Sequence, residues 1–172
     1  MSPRADTFDL AGLRLSSGEG RRLRLDVAID PFVLAGETYP VSSSPVPVQL
    51  DVSRTTGDGY ALQIRFEVTV TGPCMRCLEP AAPTFQVQAR EVSQRGGSDE
   101  LDSPYVEHGV LDLRAWVRDS LALELPASLL CEPGCAGLCA ICGENLNRAG
   151  VEHRHERSPD PRWAKLSELR LE

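Results

Sequence analysis

The six cysteines constrain this chain more than any other feature, because they come in short pairs. The pairs are Cys74-x2-Cys77, Cys131-x3-Cys135 and Cys139-x2-Cys142, and a histidine pair, His153-x-His155, follows them. Tetrahedral zinc takes four sulfur or nitrogen ligands, and each short pair supplies half of such a site. All eight side chains are therefore candidate ligands for structural Zn2+, one ion or two. Three groupings are open. Cys74, Cys77, Cys131 and Cys135 can share one ion while Cys139, Cys142 and the histidines hold another; this is the preferred one. The Cys74/Cys77 and Cys139/Cys142 pairs can join as in a zinc ribbon. The four cysteines from Cys131 to Cys142 can also close a local site, which leaves Cys74 and Cys77 idle.

Other cysteine chemistry fits less well. The N-terminal stretch MSPRADTFDL lacks the basic-then-apolar pattern of a secretory signal, so the expected compartment is the cytoplasm, where thiols stay reduced. A thioredoxin-like pair needs a helix N-terminus, and Pro80 and Pro83 after Cys77 oppose one. The spacings match no iron–sulfur pattern. A catalytic zinc keeps an open position and a nearby acid or base, and no HExxH, deaminase or Gly-x-Ser-x-Gly signature is present. The chain is therefore read as no enzyme, with a zinc- or thiol-dependent redox enzyme or sensor as the alternative. His153 and His155 have a plainer reading as part of a solvated HRHER run, and His108 is read as solvated.

Hydrophobic periodicity supplies the scaffold. Leu23, Leu25, Val27 and Ile29 alternate with polar residues, as do Val46, Val48, Leu50 and Val52, and then Leu62, Ile64, Phe66, Val68 and Val70. Period two marks half-buried strands. Pro45 and Pro47 place the start of the second strand at an edge. Gly57-Asp58-Gly59 is a hairpin turn, and a return strand through Phe85, Val87 and Ala89 puts Cys74 to Cys77 at a hairpin tip. Asp112 caps a helix whose apolar positions are Leu113, Trp116, Val117 and Leu121, and Leu125-Pro126 stops it. Asp160-Pro161 opens a last helix with Trp163, Leu166 and Leu169 on its buried face. Residues 1–20 read as a loosely docked arm and residues 93–109 as a mobile loop.

The expected fold class is α+β: an antiparallel, barrel-like sheet with two helices and a cysteine-rich zinc-binding module. Residues 1–126 form the β-rich core with its hairpin-tip CxxC and helix. Residues 127–172 form the cysteine/histidine segment and C-terminal helix, packed on the same domain. No apolar run reaches membrane-span length. Net charge is -7, which opposes a strongly basic nucleic-acid binder and favours a basic protein partner. Lys165 is the only lysine, so almost every basic side chain is an arginine.

The segments GPCMRCLEP, LDLRAWVRDSLALELP, LCEPGCAGLCAICGENLN and DPRWAKL resemble the YceD-like family of large ribosomal RNA subunit accumulation proteins, from about Asp51 to Leu169. The motif G-L-C-x2-C-G-x-N-L-N runs from Gly137 to Asn147. Many members carry Cys-x-Cys before the Asp-Pro-Arg motif, where this chain has His153-Arg154-His155. The resemblance thus supports imidazole ligation. It implies a non-enzymatic role in 23S ribosomal RNA accumulation and large-subunit biogenesis. The partners it implies are a ribosomal protein, a pre-ribosomal particle or ribosomal RNA, with no membrane.

Overall fold

A computed structural model describes residues 6–94, 102–150 and 152–155. In chain order the strands are β1 (Thr7–Asp9), β2 (Gly20–Val27), β3 (Phe32–Leu34), β4 (Glu37–Tyr39), β5 (Val46–Arg54), β6 (Tyr60–Thr69), β7 (Gly72–Pro73), β8 (Pro80–Ala81), β9 (Thr84–Ser93), β10 (Val106–Glu107) and β11 (Val110–Asp112). A 3-10 turn spans Ala11–Leu13, and the helices are α1 (Leu113–Glu124) and α2 (Leu146–Ala149).

The main sheet is antiparallel, in the order β2-β5-β6-β9. Its register places Leu23, Leu50, Ile64 and Ala89 in one row across four strands, all on the inner face. Leu25, Val27, Val46, Val48, Val52, Leu62, Phe66, Val68 and Val87 fill the rest of that face and are buried. The period-two pattern therefore sets the register, because a slip of one residue would turn every apolar side chain to solvent. β6 pairs with β5 only from Gln49 onward, so Pro47 lies where one side of its strand has no ladder partner.

The sheet is open, contrary to the barrel-like expectation: β2 and β9 form its two edges and share no ladder. Four strands enclose too little volume for side chains this large. Helix α1 covers the inner face instead, packing on β9 and reaching β2. Asp112 accepts from the Ala115 N–H at 2.9 Å, the N-cap read from the sequence. Leu113, Trp116, Val117, Ser120 and Leu121 form the buried stripe. Arg114 pairs with Asp30 at 2.6 Å, tying the helix to the connection between β2 and β3.

Two more expectations change. The N-terminal arm is anchored: β1 pairs with β11, and Leu10 is buried beneath it. The stretch ahead of α1 is no open loop where it is described. β10 and β11 make a hairpin whose turn is His108-Gly109, and His108 is exposed there. Both segments gained strands because the β1–β11 ladder joins residues more than a hundred apart, which local polarity cannot reveal. The helix expected from Asp160 lies outside the described residues. α2, which was not expected, is a single turn capped by Asn145, whose side chain accepts from the Asn147 N–H.

Removing the cap by Asp112→Ala is expected to cost about 1 kcal/mol of unfolding free energy. Leu121→Ala, which leaves a cavity under α1, is expected to cost about 2–5 kcal/mol. Denaturant unfolding of the two variants checks both the values and their order.

Candidate metal centre

The hairpin formed by β6 and β9 narrows through β7 and β8, where Gly72 faces Ala81 and Pro73 faces Pro80. The Tyr39 ring packs directly on Gly72, where a Cβ would collide with it, and its hydroxyl donates to the Pro73 carbonyl at 3.1 Å. This contact holds the hairpin end against the core. The tip beyond it carries Cys74 to Glu79. The Cys74 N–H donates to the Glu79 carbonyl at 2.8 Å, and the Leu78 N–H to the Cys74 carbonyl at 3.0 Å.

The same turn recurs at Cys139. Its N–H donates to the Glu144 carbonyl at 2.8 Å, and the Gly143 N–H to the Cys139 carbonyl at 2.8 Å. The residue after the second cysteine has positive φ in both turns, 63° at Leu78 and 76° at Gly143. Glycine adopts that conformation without strain, whereas Leu78 bears it with an exposed side chain. In both turns the next backbone N–H groups aim at the first sulfur: those of Arg76 and Cys77 at Cys74, and those of Ile141 and Cys142 at Cys139.

The chain brings the eight candidate ligands into two sets of four. Cys74, Cys77, Cys131 and Cys135 form one, and Cys139, Cys142, His153 and His155 the other; within each set the ligand atoms lie within 4.8 Å of one another. In the first, Sγ of Cys74 is 3.7 Å from that of Cys135, and Sγ of Cys77 is 3.6 Å from that of Cys131. A tetrahedral ion with zinc–sulfur bonds of about 2.3 Å would hold its sulfurs about 3.8 Å apart. In the second, Cys142 Sγ is 3.5 Å from His153 Nε2, and the Nε2 atoms of His153 and His155 are 3.0 Å apart. Either set could hold a metal ion. Neither the ribbon-like pairing of the two turns nor the four local cysteines converge in this way.

The segment after α1 meets the hairpin tip through its backbone. The Met75 N–H donates to the Leu129 carbonyl at 2.9 Å, and the Leu129 N–H approaches Met75 Sδ at 3.3 Å. Arg76 donates to the Cys135 carbonyl at 3.0 Å. Cys74, Cys77 and Cys135 are buried with Ala81, and Leu130 packs beside them.

Supporting residues that ligand spacing did not single out come from the GENLN run. Asn147 donates to Cys135 Sγ at 3.3 Å and accepts from the Ala136 N–H at 2.7 Å. Glu144 lies 3.1 Å from Nδ1 of His153. A carboxylate on Nδ1 fixes the tautomer and leaves Nε2 free to coordinate. Asn145 is a residue type that favours caps, a signal that the sequence analysis did not use; the Glu144 contact, set by the chain's return, has no local signal.

The environment splits the thiols. Burial pushes the Cys74 thiol up, but the N–H groups of Cys77, Arg76 and Cys131 outweigh it and bring it down to about 6. Burial and the neighbouring sulfurs push Cys131 up to about 12. Backbone N–H groups, with His153 between them in strength, bring Cys139 down to about 6. The Cys139 contact, with Glu144 adding to it, raises His153. The thiolate is thus favoured at the first sulfur of each turn, Cys74 and Cys139, while neighbouring sulfurs hold Cys131 in the thiol form.

The family model described as "Large ribosomal RNA subunit accumulation protein YceD" matches residues 62–170. An uncharacterized protein of Mycobacterium tuberculosis is 39% identical over 171 residues, covering 95% of this chain and 80% of its own length. An uncharacterized protein of Mycobacterium leprae is 34% identical over 113 residues, 59% of this chain and 50% of its own. The chloroplastic large ribosomal RNA subunit accumulation protein YCED homolog 1 of Zea mays is 28% identical over 182 residues, 83% of this chain and 60% of its own. No solved structure matches the chain.

Proposed function

Because this chain belongs to the YceD family of large ribosomal RNA subunit accumulation proteins, we propose that it is a non-enzymatic factor in 23S ribosomal RNA accumulation and large-subunit biogenesis, stabilised by two structural zinc ions. Its partner on this reading is a pre-ribosomal particle or a ribosomal protein, met in the cytoplasm. Among the described residues no helix is long and apolar enough to cross a membrane.

The observation that carries the zinc assignment is the completeness of each set: four protein ligands converge in each, which leaves no position for a substrate or a reactive water. Cys74, Cys77, Cys131 and Cys135 would hold one ion, and Cys139, Cys142, His153 and His155 the other. The ions would supply cross-linking, since in structural sites binding energy is folding energy, on the order of 10 kcal/mol. The first would join the hairpin tip to the segment after α1, making the described residues from 127 to 155 part of the same folding unit as the core. A redox role is less well supported, because Cys74 and Cys77 are both buried and the tip they occupy is a β-turn, not a helix N-terminus.

Metal analysis of purified protein should give two equivalents of zinc. Replacing both His153 and His155 with Asn should leave one, and unchanged stoichiometry would remove the histidines from the site. The biological reading is tested by sedimentation of ribosomes from cells depleted of the protein. A fall in 23S relative to 16S ribosomal RNA, with loss of large subunits, is expected; an unaltered profile would overturn the assignment.

A further inference from the structure

The outer face of the main sheet is uncovered among the described residues, and its chemistry differs from that of the chain as a whole. One cross-strand row reads Arg24, Gln49, Arg65 and Gln88. The next reads Arg22, Asp51, Gln63 and Arg90. Alternation in a strand sends these side chains outward while Leu23, Leu25, Leu50 and Ile64 point inward. Eight adjacent positions thus hold four arginines against one carboxylate, in a protein of net charge -7.

That carboxylate organises the arginines rather than opposing a ligand. Asp51 accepts from Arg22 Nε at 2.6 Å and Gln49 Nε2 at 3.0 Å, and Arg65 lies 3.6 Å away. Burial raises its pKa, but the bonds from Arg22 and Gln49 more than offset this, so it stays ionised. The other outward carboxylates, Asp26 and Glu67, stand at one margin, and Glu67 is bonded by Gln86. Arg24 and Arg90 have no carboxylate partner among the described residues.

Between Arg24 and Arg65 lies a shallow hollow of about 350 Å³, floored by Pro47, Val48 and Gln49. The β5–β6 ladder stops there, at the Gln49–Arg65 pair. The two arginines sit two strands apart, about 10 Å at ordinary strand spacing, and both line the hollow, where Arg65 is steadied by donating to Gln63 Oε1 at 2.7 Å. The row through it is composed of hydrogen-bond donors without a carboxylate.

We infer that this face binds the phosphodiester backbone of RNA, with one phosphate seated between Arg24 and Arg65 and with Arg22 and Arg90 extending the track. The guanidinium fork matches phosphate oxygens bidentately, and glutamine amides are common partners of phosphate and sugar. An acidic protein fits less well, since protein interfaces are anchored by buried apolar and aromatic side chains and these two rows contain none. The two rows offer no aromatic stacking platform, so recognition rests on the backbone and shows little dependence on sequence. The overall negative charge confines binding to this face. The inference deepens the ribosomal reading by naming RNA as a direct partner.

The test uses the full-length, metal-loaded protein and a fluorescently labelled 20-nucleotide single-stranded RNA, with anisotropy measured across a salt series. Wild-type protein is expected to bind poly(U) and poly(A) competitors alike. The double variant Arg24→Gln/Arg65→Gln should bind at least about tenfold more weakly. Its salt slope should be shallower by about 0.7, since each single-strand phosphate contact contributes about 0.7. Arg148→Gln, outside the face, should bind as wild type. Unfolding midpoints confirm that the variants fold. No binding by wild type, or equal binding by the double variant, would overturn the inference. Strong preference for one base sequence would do so too. The ribosome profile of depleted cells is a separate readout, so a failure of RNA binding leaves the role in accumulation to be decided on its own.

Discussion

The contact on which the rest of the molecule depends is the meeting of the β6–β9 hairpin tip with the segment that follows α1. Cys74 and Cys77 arrive from one, Cys131 and Cys135 from the other, and the backbone bond between Met75 and Leu129 aligns them. The partners are separated by 61 residues in the case of Cys74 and Cys135. Closing so long a loop costs chain entropy that one pair of hydrogen bonds does not offset. Three further supports converge on the same spot: Tyr39 behind Gly72, Arg76 on the Cys135 carbonyl, and Asn147 on the Cys135 sulfur. The β-core has its own closure, its inner face covered by Trp116 and Leu121 of α1 with Leu129 packed into the same core. The segment from Cys131 to His155 has none, because apart from Cys135 its buried apolar content is slight.

The two turns with matching hydrogen bonds explain how a small segment can carry two ligand sets. Each turn presents a sulfur surrounded by N–H groups, which favours the thiolate before any ion arrives. They differ in what surrounds them. The first set is largely buried and built on a rigid hairpin; the second lies at the surface and draws half its ligands from the chain just beyond α2. Glu144 links the second turn to His153, so the residue next to the turn glycine also orients the imidazole.

Much of this was legible in the sequence, for reasons that differ by element. The strands through Leu50, Ile64 and Phe66 and the helix through Trp116 are periodic, and periodicity reports a face buried over many residues. Cys74 at a hairpin tip followed from Gly72-Pro73 at the end of one strand and the return through Val87. What was not legible depends on long-range pairing. β1 is three residues long, and its partner β11 lies beyond residue 109, so nothing local distinguishes it from an arm. Closure of the sheet was misjudged because alternation specifies which side of a strand is buried and is silent on what covers it. The outer face escaped notice because net charge is a sum, and Arg22, Arg24, Arg65 and Arg90 become neighbours only through the register.

The central claim is that metal at the hairpin junction holds the segment from Cys131 to His155 in place while the β-core, with Leu129 packed into it, stands without it. Hydrogen exchange on zinc-loaded and metal-free protein tests this most directly. The account predicts that removing the metal abolishes protection of the backbone N–H groups of Cys135, Cys139 and Gly143, while those of β5 and β6 keep theirs. Equal protection of the segment from Cys131 to His155 in both states would contradict it.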